Sequence, residues 1–162
     1  MAEMIRTERG NIWSYHPSHY IVIPTNVGWR KNGKNVMGRG LARQAAERYP
    51  ELPRWYGRLC KGHGSIIGIF HNDLIMFPVK PLNESAPHLS WKSKASLKLI
   101  EASVEKLAFL KTNYMDDRPV AIPMVGCGNG GLEMSEVRPI LDKWLSDERF
   151  VLVLEEKGHA AD

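Results

Sequence analysis

Cysteine is scarce in this chain: Cys60 and Cys127 are the only two among 162 residues. Two thiols cannot build a disulfide framework, so a buried core must hold the fold. No apolar run reaches the roughly 18 residues of a membrane-spanning helix. The first ten residues, 1–10, are charged and show no apolar core of a secretion signal. A reducing cytoplasm is the expected location. Internal repeats, low-complexity tracts and linkers are also missing. The histidines are scattered, with His16 and His19 three apart in a proline-containing loop and no further ligands at useful spacing. No metal or diffusible cofactor is therefore expected. Nor is there a strong excess of charge: 22 Lys and Arg against 18 Asp and Glu leave +4. That balance admits an anionic partner without choosing among nucleotide, nucleic acid and protein. Nothing in the pattern selects an oligomeric state.

What remains reads as an ordinary folded domain, with 43% hydrophobic and 25% charged residues. One domain over 1–155 is expected, with 156–162 as a frayed tail. Against this background glycine is concentrated in two places. The first follows the apolar run Ile21-Val22-Ile23-Pro24-Thr25-Asn26 and, after an insertion, reads Val36-Met37-Gly38-Arg39-Gly40-Leu41-Ala42. The second is Val125-Gly126-Cys127-Gly128-Asn129-Gly130-Gly131-Leu132. Each leaves an apolar strand and opens a helix. Glycine lets backbone approach a ligand closely, and a helix start offers unpaired N–H groups with partial positive charge. Two such turns converging would hold a diphosphate.

Strands are expected at 4–7, 20–24, 65–71, 74–79, 120–124 and 150–154, with a hairpin turn at Asn72-Asp73. Helices are expected at 39–48, 52–60, 92–113 and, capped by Ser135, up to 145. Strands alternating with helices predict an α/β fold, a mixed central sheet flanked by helices on both faces. Ligands of such sheets sit beyond the carboxyl ends of the strands, where both glycine turns fall. Gly126, Gly128 and Gly131 also fit the dinucleotide G-x-G-x-x-G pattern. Only one helix and one strand follow them, too little for that fold.

The paired turns resemble the macrodomain family, which binds ADP-ribose. Gly10-Asn11-Ile12, Asn26, Met37-Gly38-Arg39-Gly40-Leu41-Ala42, Phe77-Pro78-Val79-Lys80 and the second glycine turn carry the resemblance, over about 10–154. It extends to the antitoxin macrodomains that remove ADP-ribose from DNA thymidine and to the terminal ADP-ribose glycohydrolase. The resemblance implies a three-layer α/β/α fold and an ADP-ribosyl glycohydrolase acting on nucleic acid. It places Met37, Gly38 and Gly40 on one wall and Gly126, Cys127, Gly128, Asn129 and Gly130 on the other. Asn11 and Ile12 fall at the adenine, where many relatives have an aspartate. Asn26 falls near the distal ribose. Lys80, emerging at a sheet edge after an apolar strand, falls at the anomeric carbon of that ribose, making Lys80 and Asn26 the catalytic candidates.

Two departures bear on mechanism. The terminal glycohydrolase has an aspartate in the second turn, whereas this chain has Asn129, an amide that cannot act as a base. That favours Lys80 stabilising and orienting the reaction, with a covalent adduct as the alternative route. Glu133 is a further acid/base candidate or a plain helix-start residue, and Cys127 reads as a small residue suited to a tight turn. The second departure is the insertion Trp29-Arg30-Lys31-Asn32-Gly33-Lys34-Asn35. Arg30, Lys31 and Lys34 beside an aromatic suit a nucleic-acid strand, or else an exposed flexible loop. Trp91 either covers the ligand or packs. Two alternatives to hydrolysis stay open: a non-catalytic ADP-ribose reader, and a phosphatase acting on ADP-ribose 1″-phosphate.

Overall fold

A computed structural model describes residues 3–156. The expected tail beyond 156 lies outside the described residues. Six strands form one sheet: β1 (Arg6–Arg9), β2 (Tyr20–Asn26), β3 (Gly68–Phe70), β4 (Leu74–Lys80), β5 (Val120–Ile122) and β6 (Phe150–Leu154). Their order is β1-β6-β5-β2-β4-β3, with every pairing parallel except β3 against β4. The inner strands are apolar almost without interruption, as strands covered on both faces must be. Alternation then divides their side chains. Tyr20, Val22, Ile75, Phe77, Val120, Ile122, Phe150 and Leu152 enter one core. Ile21, Ile23, Leu74, Met76, Ala121, Val151 and Val153 enter the other.

Four helices close these two cores. On one face, α1 (Gly40–Arg48) buries Leu41, Ala42 and Ala45, and α2 (Leu52–His63) buries Leu52, Tyr56 and Cys60. On the opposite face, α3 (Leu97–Asn113) contributes Ile100, Val104 and Leu107, and α4 (Met134–Trp144) contributes Val137 and Leu141. The result is the expected α/β/α arrangement. None of the helices among the described residues is long and apolar enough to cross a membrane.

Several boundaries differ from expectation, each for a local reason. β2 continues through Pro24 to Asn26, because pairing with β4 persists there as Pro24 against Phe77. α3 begins at Leu97 rather than at 92, since the Ser96 hydroxyl accepts the Leu99 N–H at 3.1 Å and caps it. The segment before it is occupied elsewhere: the N–H of Ala95 donates to the Gly130 carbonyl and that of Ser96 to the Val79 carbonyl, both at 2.9 Å. Ser135 does not cap α4. Glu133 does, in a reciprocal box in which its own N–H donates to Glu136 Oε1 at 3.0 Å. The hairpin turn sits one residue early, at His71 and Asn72, which both take positive φ. α2 runs on to His63 and stops at Gly64, where φ is +80°.

Candidate functional site

The carboxyl ends of β2 and β4 and the loop after β5 open into one cavity of about 570 Å³. A register shift between Thr25 and Asn26 sets Asn26 directly beside Lys80. Lys80 thus leaves the end of an inner strand, between β2 and β3, and not a sheet edge. Its ammonium donates to the main-chain carbonyl of Trp91 at 2.8 Å. The Lys80 side chain therefore has a fixed position at the cavity wall.

Both glycine turns reach this cavity. Val36, Gly38, Arg39 and Ala42 line it from the first, and Gly126, Asn129 and Gly130 from the second. The start of α1 points its first turn here, and Arg39 at the N-cap supplies no side-chain cap. A nine-residue helix with an uncapped start places partial positive charge at this wall. The second turn is closed on itself: Leu132 donates its N–H to the Gly126 carbonyl at 3.0 Å and Gly131 to that of Gly128 at 3.2 Å.

Arg30, Arg39, Lys80 and Lys92 line the cavity, and among the described residues no carboxylate does. Cations gathered at one wall favour an anionic ligand. Trp91 supplies the aromatic surface. Arg39 stands 5.4 Å and Lys92 5.3 Å from its ring centroid.

Asn26 lines the cavity, yet its polar atoms serve the loop. Its Oδ1 accepts the Gly28 N–H at 3.0 Å and Asn35 Nδ2 at 3.1 Å, and its Nδ2 donates to the Val36 carbonyl at 2.9 Å. Asn35, only 2% exposed, also donates to the Gly28 carbonyl at 2.8 Å. The insertion between these residues is a tied turn, with Arg30 donating to the Lys34 carbonyl at 2.7 Å and Arg54 to that of Asn32 at 3.2 Å. Helix α2 seats against it at Gly57, where a Cβ would lie 2.0 Å from the Gly33 carbonyl oxygen. Of its cations, Arg30 reaches the cavity, Lys31 is exposed and Lys34 half-buried.

The remaining sequence candidates stand back from the cavity lining. Asn11 accepts the Trp13 N–H at 3.0 Å and caps a short 3-10 turn, Ile12–Tyr15. Ile12 and Met37 are buried in the core beneath α1 and α2. Gly40 takes φ +55° as the first residue of α1. Gly128 spans the second turn. The Cys127 thiol points to the Val125 carbonyl at 3.6 Å. Burial, helped by the Glu133 and Glu136 carboxylates, pushes that thiol up to about 11. A thiol so raised is not a nucleophile at neutral pH. The carboxylate of Glu133 is occupied as the α4 cap.

Sequence reading left Asn35 and Arg39 without roles and Trp91 undecided. Asn35 carries no periodic signal, because its burial comes from a loop closing on itself. Among the described residues, no three His, Cys, Asp or Glu side chains gather to hold a metal ion.

No family model matches the chain. It is 32% identical over 116 residues, 65% of its length, to the DNA ADP-ribosyl glycohydrolase of Mycobacterium tuberculosis. It is 26% identical over 145 residues to the Thermus aquaticus protein of the same name. The chain spans about a third of the length of these curated relatives, 30% and 36% respectively. Among solved structures it is similar to the macrodomain of Thermus aquaticus DarG, with TM-score 0.70, 23% identity, and 94% and 98% of the two chains covered. The macrodomain of Mycobacterium tuberculosis DarG gives 0.69, 24%, and 96% and 99%. Thermosipho africanus DarTG in complex with ADP-ribose gives 0.72 at 20% identity, covering 97% of this chain and 43% of that one.

Proposed function

With the chain a macrodomain by its fold, we propose that it binds ADP-ribose between its two glycine turns and hydrolyses an ADP-ribosyl linkage to DNA. The observation that carries this reading is the meeting of both turns, the start of α1 and Lys80 at one cavity. Its volume, about 570 Å³, is of the size that holds a nucleotide-sized ligand. Backbone amides and the helix start take the diphosphate. Asn26 acts by holding the first wall in place, and Arg30, Lys31 and Lys34 take phosphates of the attached strand.

The chemistry follows from charge. As the bond to the anomeric carbon lengthens, that carbon gains positive character and the departing atom negative. The role assigned to the Lys80 ammonium, which the Trp91 carbonyl steadies, is to stabilise the negative charge on the departing atom. Water supplies the oxygen to the ribose and the proton to the released DNA, giving ADP-ribose and the unmodified acceptor. Asn129 serves as a wall and takes no proton.

The test is a release assay on ADP-ribosylated DNA, ADP-ribosylated protein and ADP-ribose 1″-phosphate, with Lys80→Ala in parallel. Release of ADP-ribose from DNA is expected, slowed about 10²- to 10³-fold in the variant. No release from any substrate would leave a binding module. Phosphate release indifferent to Lys80→Ala would make the protein a phosphatase.

A further inference from the structure

Resting on the functional reading above, we propose that the exposed face of α2 binds the phosphates of the DNA strand where it leaves the cavity, through Arg54, Arg58 and Lys61. These residues are four and three apart, so they fall on one side of the helix. All three are exposed, while Leu52, Tyr56 and Cys60 bury the other side in the core. From Arg54 to Lys61 the helix advances about 10.5 Å. A nucleic-acid strand advances about 3.4 Å per phosphate, so the row matches about three successive phosphates.

Opposite charge is missing from this helix alone. The other helices tie cations to carboxylates: Arg43 to Glu47 within α1 at 3.4 Å, Arg138 to Asp142 within α4 at 3.7 Å, and Lys143 of α4 to Glu101 of α3 at 3.3 Å. Leu52–His63 contains no Asp or Glu, and Glu51 stands just ahead of it as the N-cap. Among the described residues, Arg54, Arg58 and Lys61 join no ion pair. The helix dipole accounts for a cation in the last turn, Lys61, but disfavours Arg54 in the first. A row of one sign that the helix itself does not require suits a polyanion.

The loop between β2 and α1 joins this row to the cavity. Arg30 lines the cavity, and exposed Lys31 follows it. The next residue, Asn32, accepts Arg54 Nη1 on its carbonyl at 3.2 Å, and the Asn35 N–H donates to the Pro53 carbonyl at 2.8 Å. The loop is thus pinned to the first half of α2, and Arg30, Lys31, Arg54, Arg58 and Lys61 form one path outward. None of the three α2 cations lines the cavity, so ADP-ribose held there has no need of them. They serve the part of the substrate that continues beyond it.

The experiment measures binding of a short unmodified DNA oligonucleotide, single-stranded and as a duplex, between about 50 and about 200 mM salt. Three proteins are compared: the intact chain, the double variant Arg58→Gln/Lys61→Gln, and Lys98→Gln/Lys106→Gln. The last pair is exposed on α3, across the sheet, and removes the same charge. The α2 variant is expected to bind DNA about 10-fold more weakly at the lowest salt. Its slope of log affinity against log salt should fall by about 1.4 for a single strand or about 1.8 for a duplex. The α3 variant should stay close to the parent, and ADP-ribose, titrated separately, should bind all three alike. Loss in either DNA arm supports the row, and the arm with the larger loss tells single from paired DNA. No DNA binding by the intact chain, an unchanged slope in the α2 variant, or an equal loss in the α3 variant would overturn it. Failure of the intact chain to bind ADP-ribose would instead strike the functional reading.

Discussion

At Gly38 an added Cβ would stand in open space, with no atom within 4 Å. At Gly126 it would lie 2.6 Å from Ile100 Cδ1, and at Gly130 only 2.4 Å from the Gly126 carbonyl oxygen. Gly126 also takes φ +78°, a left-handed backbone that side chains resist. Both glycine-rich turns border one cavity, yet their glycines answer different demands. In the first turn, Gly38 leaves room for something that is not protein, while Gly40 meets a left-handed backbone. In the second, glycine lets the loop fold onto α3 and the segment before it, and the cavity wall is a consequence. A motif of small residues therefore says that backbone must come close to something, and the packing says to what.

The largest test of that contrast is Gly126→Val. Left-handed backbone costs about 1–2 kcal/mol and overpacking about 1–3 kcal/mol, so the melting temperature should fall by roughly 5–15 °C. A Tm unchanged by differential scanning calorimetry would mean that the second turn is not packed as described. Gly38→Glu is the complement. It should leave Tm within about 2 °C, because the new side chain enters free space, and weaken ADP-ribose by about 100-fold or more through like-charge contact. Isothermal titration showing parental affinity would remove the first turn from the site.

How far the sequence carries is visible at the same two turns. Their position at the carboxyl ends of strands was legible, because apolar runs of strand length announced the inner sheet and the helices after them carried clear periodicity. The cores on both faces followed from the same alternation. Lys80 was legible as a residue ending an apolar strand. Its neighbour Asn26 was named, but not its work, since the bonds to Gly28, Asn35 and Val36 depend on how a nine-residue excursion closes, which no local pattern encodes. Trp91 was ambiguous for the same reason: a lone aromatic in a loop packs or protrudes according to what its neighbours leave open. Of the two readings open for Glu133, the helix-start one fits, because a capping box spends the carboxylate that an active-site role would need.

The smallest expected effect concerns Cys127, in the second turn. Its thiol is pushed up to about 11, chiefly by burial, so it stays protonated at neutral pH and gains thiolate only as pH climbs toward that value. Alkylation by iodoacetamide at pH 7 should run about 100-fold slower than at an ordinary exposed cysteine, and rise steadily between pH 8 and about 11. A midpoint near 8 would show the cavity cations reaching the sulfur, and the distinction between the turns would weaken.

The central claim is that one ligand is held by both turns at once. Amide NMR of the chain titrated with ADP-ribose tests it most directly. Resonances of Gly38, Arg39 and Ala42 are expected to move together with those of Gly126, Asn129 and Gly130, along one binding curve. Movement confined to a single turn, or two curves with different midpoints, would contradict it.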